Sequence, residues 1–156
     1  MITIQIDTRE KQKAIQKIVA EFDKREISYF SSKLYVGDYM SLDNPRIVID
    51  RKQNLMELCQ NVVQGHKRFT GELQRAVDAG IKLIILCEHG GSIKKLEDVI
   101  NWKNPRLKIS PMAVSGERLF KILHTIQKKY NIDILFCDKR NTGKRIIELL
   151  GGAQNG

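Results

Sequence analysis

Apolar and polar positions along the chain follow two rhythms, one of period two and one of helical spacing. Thr3 to Asp7 alternates in the strand manner, and Ala14, Ile15, Ile18, Val19 and Phe22 then recur at helical spacing, which predicts a helix over roughly Lys11 to Arg25. Ile27 to Leu42 is rich in Tyr, Phe, Val and Ser, and Arg46 to Lys52 repeats the β-branched character. Asp43-Asn44-Pro45 between them supplies turn residues, so these segments read as hairpin strands. Leu55, Leu58, Val62, Phe69, Leu73 and Ala76 mark a long helical region from Asn54 to about Ala79, with Gly65 and Gly71 as points of bending or breakage. Ile81 to Cys87 is a near-continuous apolar run, the pattern of a strand covered on both faces in the middle of a sheet.

Farther along, Gly90-Gly91-Ser92 is expected to cap a short helix through Trp102, and Lys103 to Ala113, with Pro105 and Pro111, reads as an irregular loop. Ser115 opens a helix whose buried face carries Leu119, Phe120, Ile122, Leu123 and Ile126. Ile132 to Cys137 is a second apolar strand, and Thr142 to Leu150 is a last helix closed by Gly151-Gly152. A mixed sheet between helical layers, an α/β fold, is the natural packing of that order. With no internal repeat and no separating linker, residues 1–152 are expected to form a single domain and residues 153–156 a frayed tail.

Composition narrows the class. A chain of 156 residues hides roughly two-thirds of its surface on folding, enough for a core without staples. Hydrophobic residues at 42% and charged residues at 29% exclude both the disordered and the membrane-embedded classes. The N-terminus has a strand pattern in place of a leader, and no apolar run reaches spanning length, so a cytosolic protein without a membrane partner is expected. It would be nucleoid-associated in a bacterium or nuclear in a eukaryote. Cys59, Cys87 and Cys137 are odd in number and lack CxxC spacing, which argues for reduced thiols and against disulfides or zinc. Lys and Arg number 27 against 18 Asp and Glu, and the net charge of +9 favours encounter with polyanions, of which nucleic acid is the commonest.

The candidate chemistry lies at the predicted hairpin. Asp50 and Lys52 are two apart in a strand and share one face, with Arg51 on the other, and a turn near Asn44 can bring Asp38 beside Asp50. Two crowded carboxylates suit Mg²⁺ or Mn²⁺, with the backbone carbonyl of Arg51 completing the protein's share. An ion so placed polarises a phosphodiester and acidifies a water, while the Lys52 ammonium steadies developing charge. The expected chemistry is phosphodiester hydrolysis.

Val36-Gly37-Asp38-Tyr39 and Ile49-Asp50-Arg51-Lys52 resemble the signature of the XPF/Hef structure-specific endonuclease family, GD followed after a variable stretch by ERKxxxD. Ile6-Asp7-Thr8-Arg9-Glu10 is similar to that family's DxRE, Gly65 to Phe69 to its Gly-Arg-aromatic stretch, and Leu83 to Glu88 to its strand ending in glutamate. Ile132 to Leu150 resembles its closing strand and helix. Two positions depart: Asp50 stands for the family's glutamate, and Met56, with Glu57 adjacent, for the aspartate after the signature lysine. The resemblance implies a restriction-endonuclease-like nuclease domain of the PD-(D/E)xK superfamily, acting with Mg²⁺ on branched, flap or otherwise structured DNA, in DNA repair.

It further implies catalytic roles for Asp38, Asp50, Lys52 and Asp7, metal ligation by Asp38, Asp50, Asp7 and the Arg51 backbone, and further carboxylates in Glu10 and Glu57. Glu10 reads equally well as an acid at a helix N-terminus. Arg9, Lys67, Arg68 and Arg75 are candidate DNA contacts, Arg68, Glu72 and Arg75 sharing a helical face that reads alternatively as a solvated ion-paired surface. A homodimer or a nuclease-like partner subunit is expected. The rival reading is a non-catalytic module on the nuclease fold that binds DNA or a partner protein. Retention of Asp7, Asp38, Asp50 and Lys52 together argues against it.

Overall fold

A computed structural model describes residues 2–151; the tail expected at 153–156 lies outside them. The chain begins with β1 (Thr3–Ile6), α1 (Gln16–Lys24), β2 (Ser28–Ser31), β3 (Tyr39–Ser41) and β4 (Asn44–Lys52). Next come α2 (Leu55–Val63), α3 (His66–Asp78), β5 (Lys82–Glu88), α4 (Gly116–Tyr130), β6 (Asp133–Cys137) and α5 (Thr142–Gly151). Among the described residues the strands form one sheet in the order β2-β1-β3-β4-β5-β6. The pairs β1–β3 and β3–β4 are antiparallel and the others parallel, so the mixed α/β sheet expected from the sequence is what forms.

Alternation along β4 divides the core. Val48 faces Leu58, Leu73 and Leu119 of α2, α3 and α4, whereas Ile49 faces Ile18, Phe22 and Ile146 of α1 and α5. Each large side chain so buried contributes roughly 1.5–3 kcal/mol. The same alternation puts Asp50 and Lys52 on the α2–α3 side and Arg51 on the α1–α5 side, at the end of β4 where the core gives way to polar groups.

Local details differ from the sequence reading for identifiable reasons. Ser28–Ser31 is not a hairpin partner but a parallel edge strand on β1, reached through α1, and residues 32–38 form a loop. Val36-Gly37-Asp38, inside the stretch expected to be strand, therefore leads into β3 from that loop. Ser41 pairs with Asn44, so the turn is Leu42–Asp43 and Pro45 already lies in β4. α1 starts at Gln16, later than expected. The long helix breaks at Gly65 and runs through Gly71. No helix begins at Gly90-Gly91-Ser92; a 3-10 turn over Leu96–Asn101 forms instead, its entry tied by Asp98 Oδ2, which accepts from the Lys94 and Lys95 amides at 2.9 and 3.2 Å.

Candidate active site

The end of β4 is held against the start of β3 by backbone and side-chain bonds that converge on Asp38. Its amide donates to Ile49 O at 2.8 Å, its carbonyl accepts from the Asp7 amide at 2.8 Å, and its Oδ2 accepts from the Arg51 amide at 2.8 Å. Gly37 makes this approach possible. It sits at φ +71°, in the left-handed region, and a Cβ there would overlap Val48 Cγ1 and lie 3.1 Å from Ile49 O.

Asp38, Asp50 and Lys52 form the floor of an open cleft of about 340 Å³. Glu57, Asn61 and Gly65 come in from α2 and its end, Arg68, Phe69 and Glu72 from α3, and Arg9, Glu10 and Arg51 from the far side. Lys52 is 9% exposed; its Nζ lies 3.5 Å from Asp50 Oδ2 and 5.4 Å from the centroid of the Phe69 ring. That separation is an ion-pair contact too long for a good hydrogen bond, and Asp50 Oδ2 is buried without any hydrogen-bond partner.

The charges in the cleft are unevenly matched. Burial first, and the neighbouring Asp50 charge second, push the Asp38 carboxyl well above the usual carboxylate range. Glu72 rises for the same two reasons, offset in part by Lys52 and by the Gly37 amide, which donates to Glu72 Oε1 at 3.3 Å. Burial acts to lower Lys52, but the charges of Asp50, Asp38, Glu57 and Glu72 outweigh it and leave the ammonium above its ordinary value. The acidic groups thus outnumber the one cation on the floor. Among the described residues no three His, Cys, Asp or Glu side chains gather in metal-ligating geometry.

The other expected site residues divide. Asp7 is fully buried behind the cleft: Oδ1 accepts from the Leu34 amide at 2.7 Å and Oδ2 from Arg9 Nε at 2.6 Å and the Arg9 amide at 3.0 Å. Burial pushes Asp7 up, and these donors outweigh it to hold the group below the usual range. Glu10 is not at a helix N-terminus, since α1 starts six residues later. Its carboxylate pairs with Arg51 Nε at 2.7 Å and accepts from Tyr39 OH at 2.8 Å. Glu57 caps α2, reaching back to the Gln53 amide at 3.2 Å while Asn54 Oδ1 accepts from the Glu57 amide at 2.8 Å.

Arg68 stands at the cleft mouth, but Lys67 and Arg75 are exposed outside it. Met56 lies outside the cleft and lines a separate groove with Cys59, Val63 and Met112. Cys59 and Cys87 are buried free thiols and Cys137 is half-buried.

Sequence reasoning named Glu72 only on a helical face shared with Arg68 and Arg75, and it did not bring together the ion cluster behind β4. Glu72 carried a weak signal, a carboxylate three residues after Phe69, an α3 residue that faces the core. On the opposite face of the sheet, Arg51 pairs with Glu10 and, through Nη1, with Glu88 Oε1, while Glu88 Oε2 accepts from Thr142 Oγ1 at 2.5 Å. Burial opposes the Arg51 charge, but these carboxylates raise its pKa above that of a free guanidinium.

Comparison with known proteins agrees with this fold. XPF from Aeropyrum pernix superposes with a TM-score of 0.69 at 18% identity over 97% of this chain and 65% of that one. XPF from Aeropyrum pernix in complex with DNA gives 0.70 at 17% identity over 99% and 66%. The chain therefore spans just under two-thirds of the length of those proteins, and at such identities the likeness establishes the fold. No curated protein sequence matches. The ERCC4 domain profile matches residues 6–150, from the end of β1 to the last turn of α5, and the chain belongs to the ERCC4 domain family.

Proposed function

We propose that this ERCC4 domain is a divalent-metal-dependent DNA endonuclease that cuts branched, flap or otherwise structured DNA in the cleft floored by Asp38, Asp50 and Lys52. The observation that carries the reading is the orphaned Asp50 Oδ2, buried beside a second carboxyl and 3.5 Å from a buried ammonium. A folded chain gains nothing from burying a carboxylate oxygen that accepts no hydrogen bond, and such groups concentrate where a ligand completes them.

The donor set fits Mg²⁺ or Mn²⁺: hard oxygen ligands from Asp38 and Asp50, with the Arg51 carbonyl between them and Lys52 in the chain. Bound there, such an ion supplies Lewis-acid polarisation of the phosphodiester and an acidified water. Lys52, held by Asp50 and by the face of Phe69, presents its ammonium protons to a phosphate oxygen as charge builds on it. Arg68 at the mouth grips the backbone of the nucleic acid. Asp7 acts from behind, tying Arg9 and the Leu34 amide so that Arg9 overhangs the cleft. Glu10 and Glu57 act on Arg51 and on the start of α2.

DNA as substrate is supported by the net charge of +9 and by the DNA-bound state of the similar Aeropyrum protein. A role in DNA repair, and a homodimer or nuclease-like partner subunit that extends the binding surface, belong to the same reading. Among the described residues no helix is long and apolar enough to cross a membrane.

The test is incubation of the purified protein with flap, fork, duplex and single-stranded DNA in Mg²⁺, Mn²⁺ or EDTA. Cleavage of the branched substrates with either ion and none in EDTA is expected. Cleavage undiminished in EDTA would overturn the metal dependence, and DNA binding without cleavage in either ion would favour the non-catalytic module.

A further inference from the structure

The ion cluster behind β4 lies on the face of the sheet away from Asp50 and Lys52, yet it is bonded to the residue between them. The Arg51 guanidinium is 6% exposed and divides its donors between two carboxylates, with Nε 2.7 Å from Glu10 Oε2 and Nη1 against Glu88 Oε1. Two carboxylates against one guanidinium leave an excess negative charge in a buried place, and two hydroxyls relieve it. Tyr39 OH donates to Glu10 at 2.8 Å, and Thr142 Oγ1, fully buried at the start of α5, donates to Glu88 at 2.5 Å. The backbone amide of the same arginine donates to Asp38 Oδ2 at 2.8 Å. The cluster joins the β1–α1 loop, β3, β4, β5 and α5, and its central residue hands Asp38 its hydrogen bond.

We propose that Glu88 and Thr142 are positioning residues of the cleft: acting through the Arg51 side chain, they fix the backbone amide that orients the Asp38 carboxyl. α5, which lends no side chain to the cleft, is thereby part of its construction. The inference rests on the proposed function only in calling the cleft a working site; the mechanical link itself stands on the bonds just described. Buried networks of this kind fix one arrangement when every member is satisfied and lose it when one is left unpaired. Thr142→Val keeps the shape of the side chain and removes its donor, leaving Glu88 Oε2 without its partner. Thr142→Ser keeps the donor.

The experiment is amide hydrogen exchange on the full chain, read residue by residue by NMR, for wild type, Thr142→Val, Thr142→Ser and Glu88→Gln. Loss of protection at the Arg51 amide by at least about fivefold is expected in Thr142→Val and Glu88→Gln, the low end of what an orphaned buried acceptor costs. The Leu83 and Ile85 amides should keep their protection, and Thr142→Ser should behave as wild type. Unchanged protection of Arg51 in Thr142→Val, or an equal loss throughout the sheet, would overturn the proposal. Should Thr142→Val fail to fold, Glu88→Gln decides by the same readout. In parallel, the single-turnover rate on flap DNA should fall about tenfold in Thr142→Val with DNA affinity kept. If wild type cuts nothing, the functional reading fails while the exchange data still decide the link.

Discussion

Replacing Gly37 by alanine adds one methyl group, and the surroundings of that methyl determine the outcome. The residue lies at φ +71°, which costs an L-residue roughly 1–2 kcal/mol. The new Cβ overlaps Val48 Cγ1 and comes within 3.1 Å of Ile49 O and 3.4 Å of Leu83 Cδ1. Val48 is 1% exposed, β-branched and set between β3 and β5, so it has little room to move aside. Overpacking of this kind costs about 1–3 kcal/mol. The two effects together predict a loss of about 2–5 kcal/mol, a large part of the 5–15 kcal/mol that typically holds a domain folded. Urea unfolding of wild type and Gly37→Ala measures it directly, the midpoint falling with the slope unchanged. Because Gly37 adjoins Asp38 and its amide bonds Glu72, cleavage should fall further than stability alone explains. A loss below about 1 kcal/mol would refute the argument from crowding and backbone strain.

The same geometry leads to three further outcomes. In Lys52→Ala both floor carboxylates remain, so the single-turnover rate should fall at least about a hundredfold with DNA affinity kept; loss of affinity in proportion to rate would make Lys52 an ordinary phosphate contact. Because the folded pKa of Asp38 lies above its unfolded value, its contribution to the stability of the metal-free protein is fully present below the ordinary carboxylate range and is lost as pH rises through the raised folded value. Asp38→Asn should remove that decline, and parallel pH–stability curves for the two proteins would contradict it. Finally, DNA affinity should fall steeply with salt, with a log–log slope of about 0.9 per phosphate neutralised, and Lys67→Ala with Arg68→Ala should flatten it. Affinity that is flat between low and moderate salt would remove the electrostatic account of binding.

The parts of this fold that periodicity encodes were legible from the chain alone. The apolar run at Ile81 to Cys87 is a central strand, and the two-residue spacing of Asp50 and Lys52 puts both on one face. Pairing partners are not encoded in that way. Ser28–Ser31 has strand composition, but only the crossover through α1 makes it a parallel neighbour of β1 instead of a hairpin arm. The helix expected at Gly90 failed because glycines mark a turn without specifying the kind of element beyond it. At the site, Asp38 and Asp50 were visible as motif residues, whereas the Arg51 cluster draws on positions 10, 51, 88 and 142, which only the tertiary fold brings together. The oxygens of Asp7, expected from the resemblance as a ligand, are engaged by Leu34 and Arg9, a loop contact no local pattern announces.

The claim on which the rest depends is that Asp50, with its unpartnered buried oxygen, belongs to a metal-dependent cutting site. Asp50→Asn exchanges one carboxylate oxygen for an amide nitrogen and keeps the size of the side chain. Measured side by side with wild type on flap DNA in Mg²⁺, it should bind the DNA as well or better, having lost a negative charge, and cut it at no detectable rate. Cleavage by Asp50→Asn at the wild-type rate would contradict the account.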